Sequence, residues 1–140
     1  IVIQRSLKPI RTINEFKTAV QAVVKGNPKK YFAQVFQALR IEVNDELGAL
    51  KELLEQSTTL LNIAGRIAII TFHSLEDRLV KIFFKDGTMD ETVIDDIYGH
   101  RFKNPFKVIT KKPVTATSKE LKENTRSRSA KLRVAEMQQV

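Results

Sequence analysis

The hydrophobic pattern changes period once along this chain. In the first half apolar residues recur every three or four positions, as in helices; in the second, short apolar runs are separated by polar turns. Ile1 to Leu7 reads as the tail of a helix that Pro9 stops. Thr12 and Glu15 form a T-x-x-E capping box. The helix it opens sets Ile13, Phe16, Val20, Val23 and Val24 on one face and ends at Gly26. Pro28 permits a new start. Phe32, Val35, Phe36, Leu39, Val43, Leu47, Leu50 and Leu54 then keep helical spacing, which predicts one long helix, or two nearly collinear ones, from about Lys30 to Glu55. Gly48 weakens it locally. Phe16, Phe32 and Phe36 follow this period and are assigned to core, not to base stacking. Thr58 to Ile63 reads as a short helical turn.

The second half is organised around Arg66 to Arg78, RIAIITFHSLEDR. The isoleucine-rich run Arg66 to Thr71 predicts a strand covered on both faces, the pattern of a parallel sheet in an α/β domain. Ser74 is the expected N-cap of the next helix, with Asp77 reaching back to it. That helix turns Leu79, Val80, Ile82 and Phe83 inward and ends at Asp86-Gly87. Thr88 to Asn104 is polar and predicts a mobile loop with one helical turn. Phe106 to Thr110 predicts a second strand, closed by Lys111-Lys112-Pro113. Thr117 and Glu120 cap a short helix through Glu123, Asn124 to Ser129 is a loop, and Ala130 to Glu136 alternates as a third strand.

Composition narrows the function classes. The chain has no cysteine, hence no disulfide framework, thiolate metal site or cysteine nucleophile, which fits a cytoplasmic protein. No apolar run approaches the ~20 residues that span a bilayer, so no membrane role is expected. The two histidines, His73 and His100, stand apart in sequence and suggest no metal cluster. The net charge of +8 is uneven. Residues 1–40 carry eight Lys/Arg against one Asp/Glu, residues 41–100 five against twelve, and residues 101–140 eleven against three. Two basic ends around an acidic middle point to a polyanion, most simply nucleic acid. The chain starts inside a helical pattern, IVIQRSL, as a piece of a longer protein would.

Topology suggests where the cations meet. Suppose the first two strands run parallel and the last runs antiparallel between or beside them. His73 and Ser74 then leave the carboxyl edge of the first strand, Lys111 and Lys112 that of the second, and Arg126, Arg128 and Lys131 lie where the last strand starts. Arg40 and Asn44, in the amino half of the long helix, point to the same rim. Lys and Arg neutralise phosphates, and Ser, Asn and backbone N–H groups position them.

Four blocks carry a family resemblance: FQALRIEVNDEL (Phe36 to Leu47), GRIAIITFHSLEDRLVK (Gly65 to Lys81), ITKKPVTAT (Ile109 to Thr117) and ENTRSRSAKLRVAE (Glu123 to Glu136). Together they resemble the bacterial S-adenosylmethionine-dependent methyltransferases of small-subunit ribosomal RNA, which act on the exocyclic N4 of a cytosine. The resemblance implies an α/β fold: the C-terminal half of a class I, Rossmann-like methyltransferase core of about three strands with flanking helices. Residues 1–43 would be part of a helical insertion that helps hold RNA, and residues 44–140 the half-core. It also implies that the glycine-rich cofactor loop, the acidic ribose-binding residue and the loop around the target amine lie upstream of Ile1. The chain has five glycines and no G-x-G, so no S-adenosylmethionine-binding residue is assigned here and the 140 residues are expected to be inactive alone.

Each site assignment has a plainer counterpart. His73 is the candidate catalytic residue, as a base or a hydrogen-bond donor, because methylating an amine releases a proton; otherwise it packs or caps locally. Ser74 is a cap, since methyl transfer to nitrogen needs no enzyme nucleophile. Glu76 and Asp77 balance the helix dipole and pair with Arg78 or Lys81. Arg40 either pairs with Glu42, Glu46 or Glu76 or contacts RNA. The expected RNA-facing set is Arg40, Asn44, Ser74, Arg78, Lys111, Lys112, Arg126, Arg128 and Lys131. The rival readings are a non-enzymatic RNA-binding or ribosome-associated module and a pure interaction domain. Half a sheet would also leave an open strand edge, which invites homodimer pairing or strand exchange.

Overall fold

The computed structural model of the protein describes residues 1–89 and 103–139. Most of the loop expected from Thr88 to Asn104, and His100 with it, lies outside the described residues. The chain divides into two compact units, Ile1–Glu46 and Leu47–Val140.

The first unit is helical. Helix α1 spans Val2–Leu7 and helix α2 spans Ile13–Val20. The capping box at α2 is complete: Thr12 Oγ1 accepts from the Glu15 N–H, and the Glu15 carboxylate accepts from the Arg11 and Thr12 N–H groups. Those backbone donors hold the Glu15 carboxyl below its ordinary range. Past Val20 the chain tightens into a 3₁₀ turn, Gln21–Val23. Its shorter period swings Val23 off the apolar face expected for it, and Val23 is exposed, as is Ile13 in the first turn. Helix α3 spans Pro28–Val43, with Asn27 as N-cap and proline at the first helical position. Phe16 of α2 meets Phe36 of α3 at 5.7 Å between ring centroids, consistent with a packing role for these rings.

The long helix is two. Helix α4 spans Glu46–Leu60, and the break falls at Asn44-Asp45 rather than at Gly48. Asp45 has φ +48°, a conformation that Asn and Asp tolerate better than other non-glycine residues.

In the second unit strand β1 (Arg66–Thr71) leads through Phe72 and His73 into helix α5 (Ser74–Asp86). Strands β2 (Phe106–Val108) and β3 (Val114–Thr115), helix α6 (Ser118–Glu123), a 3₁₀ turn (Thr125–Ser129) and strand β4 (Lys131–Met137) follow. Strand β4 lies between β1 and β2 and is antiparallel to each. Strands β1 and β2 therefore point the same way without touching, the arrangement supposed from the sequence. The expected second strand is shorter than 106–110. The two-residue β3, which sequence reading missed, pairs Val114 with Leu132 and Thr115 with Lys131.

The expectation of a strand covered on both faces fails. Ile69 and Thr71 are buried, but Ala68 and Ile70 on the opposite face are exposed. The reason is a sheet whose core lies on one side. Leu54 of α4 and Val80, Phe83 and Phe84 of α5 pack with Ile69, Phe106, Ala135 and Met137. Phe106 sits 5.5 Å from Phe83 and 5.9 Å from Phe84, ring centre to ring centre. Burying side chains of this size is worth ~1.5–3 kcal/mol each, so these three rings hold α5 on the sheet. The buried stripe of α5 is Asp77, Val80, Phe83 and Phe84; Leu79 and Ile82, expected inward, are half-buried at its margin.

Candidate nucleic-acid interface

The turn between β1 and α5 is built by a capping box one residue earlier than expected. His73, not Ser74, is the N-cap. Its Nδ1 accepts from the Glu76 N–H at 3.3 Å, and Glu76 Oε2 accepts from the N–H groups of Phe72 and His73 at 2.8 and 3.2 Å. Because Nδ1 is the acceptor, the proton of a neutral ring resides on Nε2. That Nε2 is buried, has no hydrogen bond among the described residues, and lies 3.3 Å from Glu76 Oε1. Ser74 is the exposed first residue of α5, and Phe72 projects to solvent.

Asp77 does something other than cap. Its carboxylate accepts from Arg133 Nε at 2.7 Å and Nη2 at 3.3 Å, and from Lys131 Nζ at 3.1 Å. Arg78 and Lys81, the partners expected for it, are not used. The geometry follows from strand alternation. Lys131, Arg133, Ala135 and Met137 share one face of β4, and that face meets α5. A cation on an inward face requires a buried counter-charge, and Asp77 supplies it. The Arg133 hydrogen bonds, seconded by Lys131, hold the Asp77 carboxyl below the ordinary carboxylate range, against the opposite push of burial. The triad keeps one positive charge in excess. It was missed because the signal, a charged residue in phase with the buried positions of a strand, names no partner in sequence.

The sheet register sets the remaining candidates. Thr71 pairs with Lys131, and Lys131 with Thr115, so the end of β1, the start of β4 and β3 form one rim. His73 and Ser74 leave that rim, and the 3₁₀ turn carrying Arg126 and Arg128 enters it. This turn is internally tied: Asn124 Oδ1 accepts from the Arg126 N–H, and the buried Ser127 donates through Oγ to the Asn124 carbonyl. Arg126 and Arg128 are exposed with no ion pair among the described residues. Arg78, exposed on the second turn of α5, also has none, and neither does Lys112. Lys111 leaves the parallel end of β2 but borders a pocket with Lys81, Lys85 and Arg133.

Arg40 and Asn44 belong to the first unit. There Arg40 holds Glu46 through two hydrogen bonds, 2.7 and 3.1 Å, and Asn44 Nδ2 donates to the same carboxylate at 3.3 Å. Among the alternatives open for Arg40, the pair with Glu46 is formed.

Among the described residues no helix is long and apolar enough to cross a membrane. A sequence model of the MraW methylase family matches residues 1–138. The chain is 54% identical over 137 residues to the ribosomal RNA small subunit methyltransferase H of Azobacteroides pseudotrichonymphae, covering 97% of this chain and 45% of that protein. The proteins of the same name from Amoebophilus asiaticus and Parabacteroides distasonis are 51% and 47% identical, over 97% of this chain and 44% and 45% of theirs. The chain thus spans a little under half the length of these relatives.

Proposed function

The chain belongs to the MraW methylase family, and from that premise we propose that it is the RNA-holding, C-terminal part of a cytoplasmic enzyme that methylates small-subunit ribosomal RNA. The finer reading is transfer of a methyl group from S-adenosylmethionine to the exocyclic N4 of a cytosine. The observation that carries the proposal is identity of about half over almost the whole chain to proteins bearing that name. The basic rim supports its RNA side: exposed arginines on a tied turn, beside a rigid capped turn, present cations where a phosphate backbone can meet them.

These residues do not fit the methyl donor. The chain has no G-x-G and no glycine-rich turn after a strand, so nothing in it would cradle the donor, and no step of the transfer is assigned to it. In this reading residues 44–140 are the second half of a Rossmann-like core and residues 1–43 part of a helical insertion. The edge of β1 not taken by β4 has no partner among the described residues. The remainder of the intact protein would supply a strand there, and a second copy of the chain would do so in its absence.

His73 takes a positioning role. Its Nδ1 is engaged by the helix it caps and its Nε2 is buried beside Glu76, so the ring holds the turn rather than the substrate. Arg126 and Arg128 contact phosphate, with Ser74, Arg78, Lys111, Lys112 and Lys131 around them. Arg40 and Asn44 serve the first unit through Glu46 first.

The test compares the intact protein with the 140-residue chain, using tritiated S-adenosylmethionine and small-subunit ribosomal RNA. Label should enter cytosine with the intact protein only. Label on another base, or none, would refute the substrate; turnover by the 140 residues alone would refute the division of labour. The rival, an RNA-binding module without enzymatic function, predicts RNA binding by both and label from neither.

A further inference from the structure

A second cationic feature does not belong to the β1–α5 turn. Lys81 and Lys85, one helical turn apart on α5, and Lys111, after β2, border a pocket of about 220 Å³. Phe84 and Val108 give it apolar lining, and Thr110 and Arg133 give it polar groups. No carboxylate lines it among the described residues. Lys85 has Asp86 at 3.6 Å, whereas Lys81 and Lys111 have no carboxylate partner among the described residues.

The donors are fixed to different degrees. Arg133 is buried, 7% exposed, and Asp77 takes its Nε and Nη2. Its Nη1 makes no hydrogen bond among the described residues. Asp77 thus clamps the guanidinium in place while leaving one nitrogen available. Thr110 Oγ1 accepts from the Val134 N–H at 2.9 Å, so its own hydroxyl hydrogen is left to donate. One clamped guanidinium, one clamped hydroxyl and flexible ammonium groups from two elements surround a partly apolar recess. Several donors with no acceptor call for an anion with several oxygens. The volume lies below the ~300–1,000 Å³ of sites that engulf a drug-sized ligand, so the recess suits a phosphate with part of its sugar.

We propose that the pocket between α5 and the end of β2 is a phosphate-binding site that takes the phosphate of a nucleotide unit, either within an RNA backbone or free. Arg133 and Thr110 orient the phosphate oxygens, Lys81 and Lys111 neutralise them, and Phe84 and Val108 meet the sugar. The RNA form rests on the RNA-binding reading; phosphate binding as such does not.

The experiment is nitrogen-15 NMR of the 140-residue chain, titrated separately with inorganic phosphate, cytidine 5′-monophosphate, cytidine and a single-stranded RNA oligonucleotide. The amide signals of Thr110 and Lys111 should move with phosphate and the monophosphate and stay still with cytidine. Lys81→Gln with Lys111→Gln should weaken the response about tenfold, while Lys51→Gln, exposed on α4, should not; the single Lys111→Gln serves if the double variant unfolds. If RNA is the source, the salt dependence of RNA binding falls by about one power in the double variant. If RNA binding is unchanged while the monophosphate response is lost, the ligand is a free nucleotide. No movement at millimolar phosphate, or equal movement in the double variant, overturns the site. Failure of ribosomal RNA methylation by the intact protein, with these shifts present, removes the function reading and leaves the site.

Discussion

Asp77 shows what one residue's placement decides. Three bonds to two cations converge on its carboxylate, and one of those cations is buried. Asp77→Ala leaves the Arg133 charge buried without a partner, which costs about 3–5 kcal/mol; urea unfolding should read that loss directly. The same pair makes stability depend on acid. The Asp77 carboxyl is held below its ordinary range in the folded chain. Its contribution is therefore fully present above the unfolded value of ~3.9 and is lost as pH falls through the lower folded value. Thermal melts between neutral pH and pH ~3 should show a steeper acid loss in the wild-type chain than in Asp77→Asn; equal slopes would remove the pair from the account. At the rim, Arg126→Ala with Arg128→Ala should leave melting unchanged and cut the salt dependence of RNA binding by about one to two powers. Unchanged binding in filter assays would take the turn out of the interface.

At the scale of elements, the ends of α5 decide how the strand–turn–helix unit is held. Both S-x-x-D from Ser74 and H-x-x-E from His73 satisfy the spacing of a capping box. Local sequence cannot choose between them. The choice is made by Arg133, 56 residues beyond Asp77, which removes that carboxylate from competition and leaves the cap to His73 and Glu76. The other end is tied from outside the helix. Gly87 closes α5 at φ +77°, and Asn104 donates to the Phe84 and Lys85 carbonyls while accepting from the Phe106 N–H at 2.8 Å. Asn104 thereby joins the last turn of α5 to the start of β2. Asn104→Ala strands three backbone groups and should cost about 1–3 kcal/mol by urea unfolding. Gly87→Ala should cost at least as much, because its Cβ would lie 2.6 Å from Asn104 Oδ1 in a conformation that already disfavours L side chains. A wild-type midpoint in either variant would count against the clip.

Across the whole molecule, the sheet is half dressed. One face carries the core, the other leaves Ile70 exposed, and the outer edge of β1 has no partner among the described residues. Unpaired N–H and C=O groups flanked by apolar side chains are a template for another strand. Sedimentation of the 140-residue chain should show a mass that rises with concentration, and addition in trans of the segment that precedes the matched region in the relatives should suppress it. A constant monomer mass would dispose of that expectation. Calorimetry with S-adenosylmethionine should show no heat of binding to the 140 residues; micromolar affinity would mean that a donor site exists here without a glycine loop.

Features that depend on neighbours along the chain were legible before the fold was known. The Thr12 cap, the glycine stop at Gly87 and the helical runs answer to contacts within a few residues, and the strand Arg66–Thr71 shows in the residue types of its own segment. The family blocks were legible for the same reason, as unbroken strings. The tertiary structure alone decided which face of β1 is buried, which residue caps α5, and that Lys111 lines a recess with Lys81 and Arg133. Each of these is settled by pairing or burial between residues far apart in sequence, where the energy of a buried charge or a packed ring outweighs local preference.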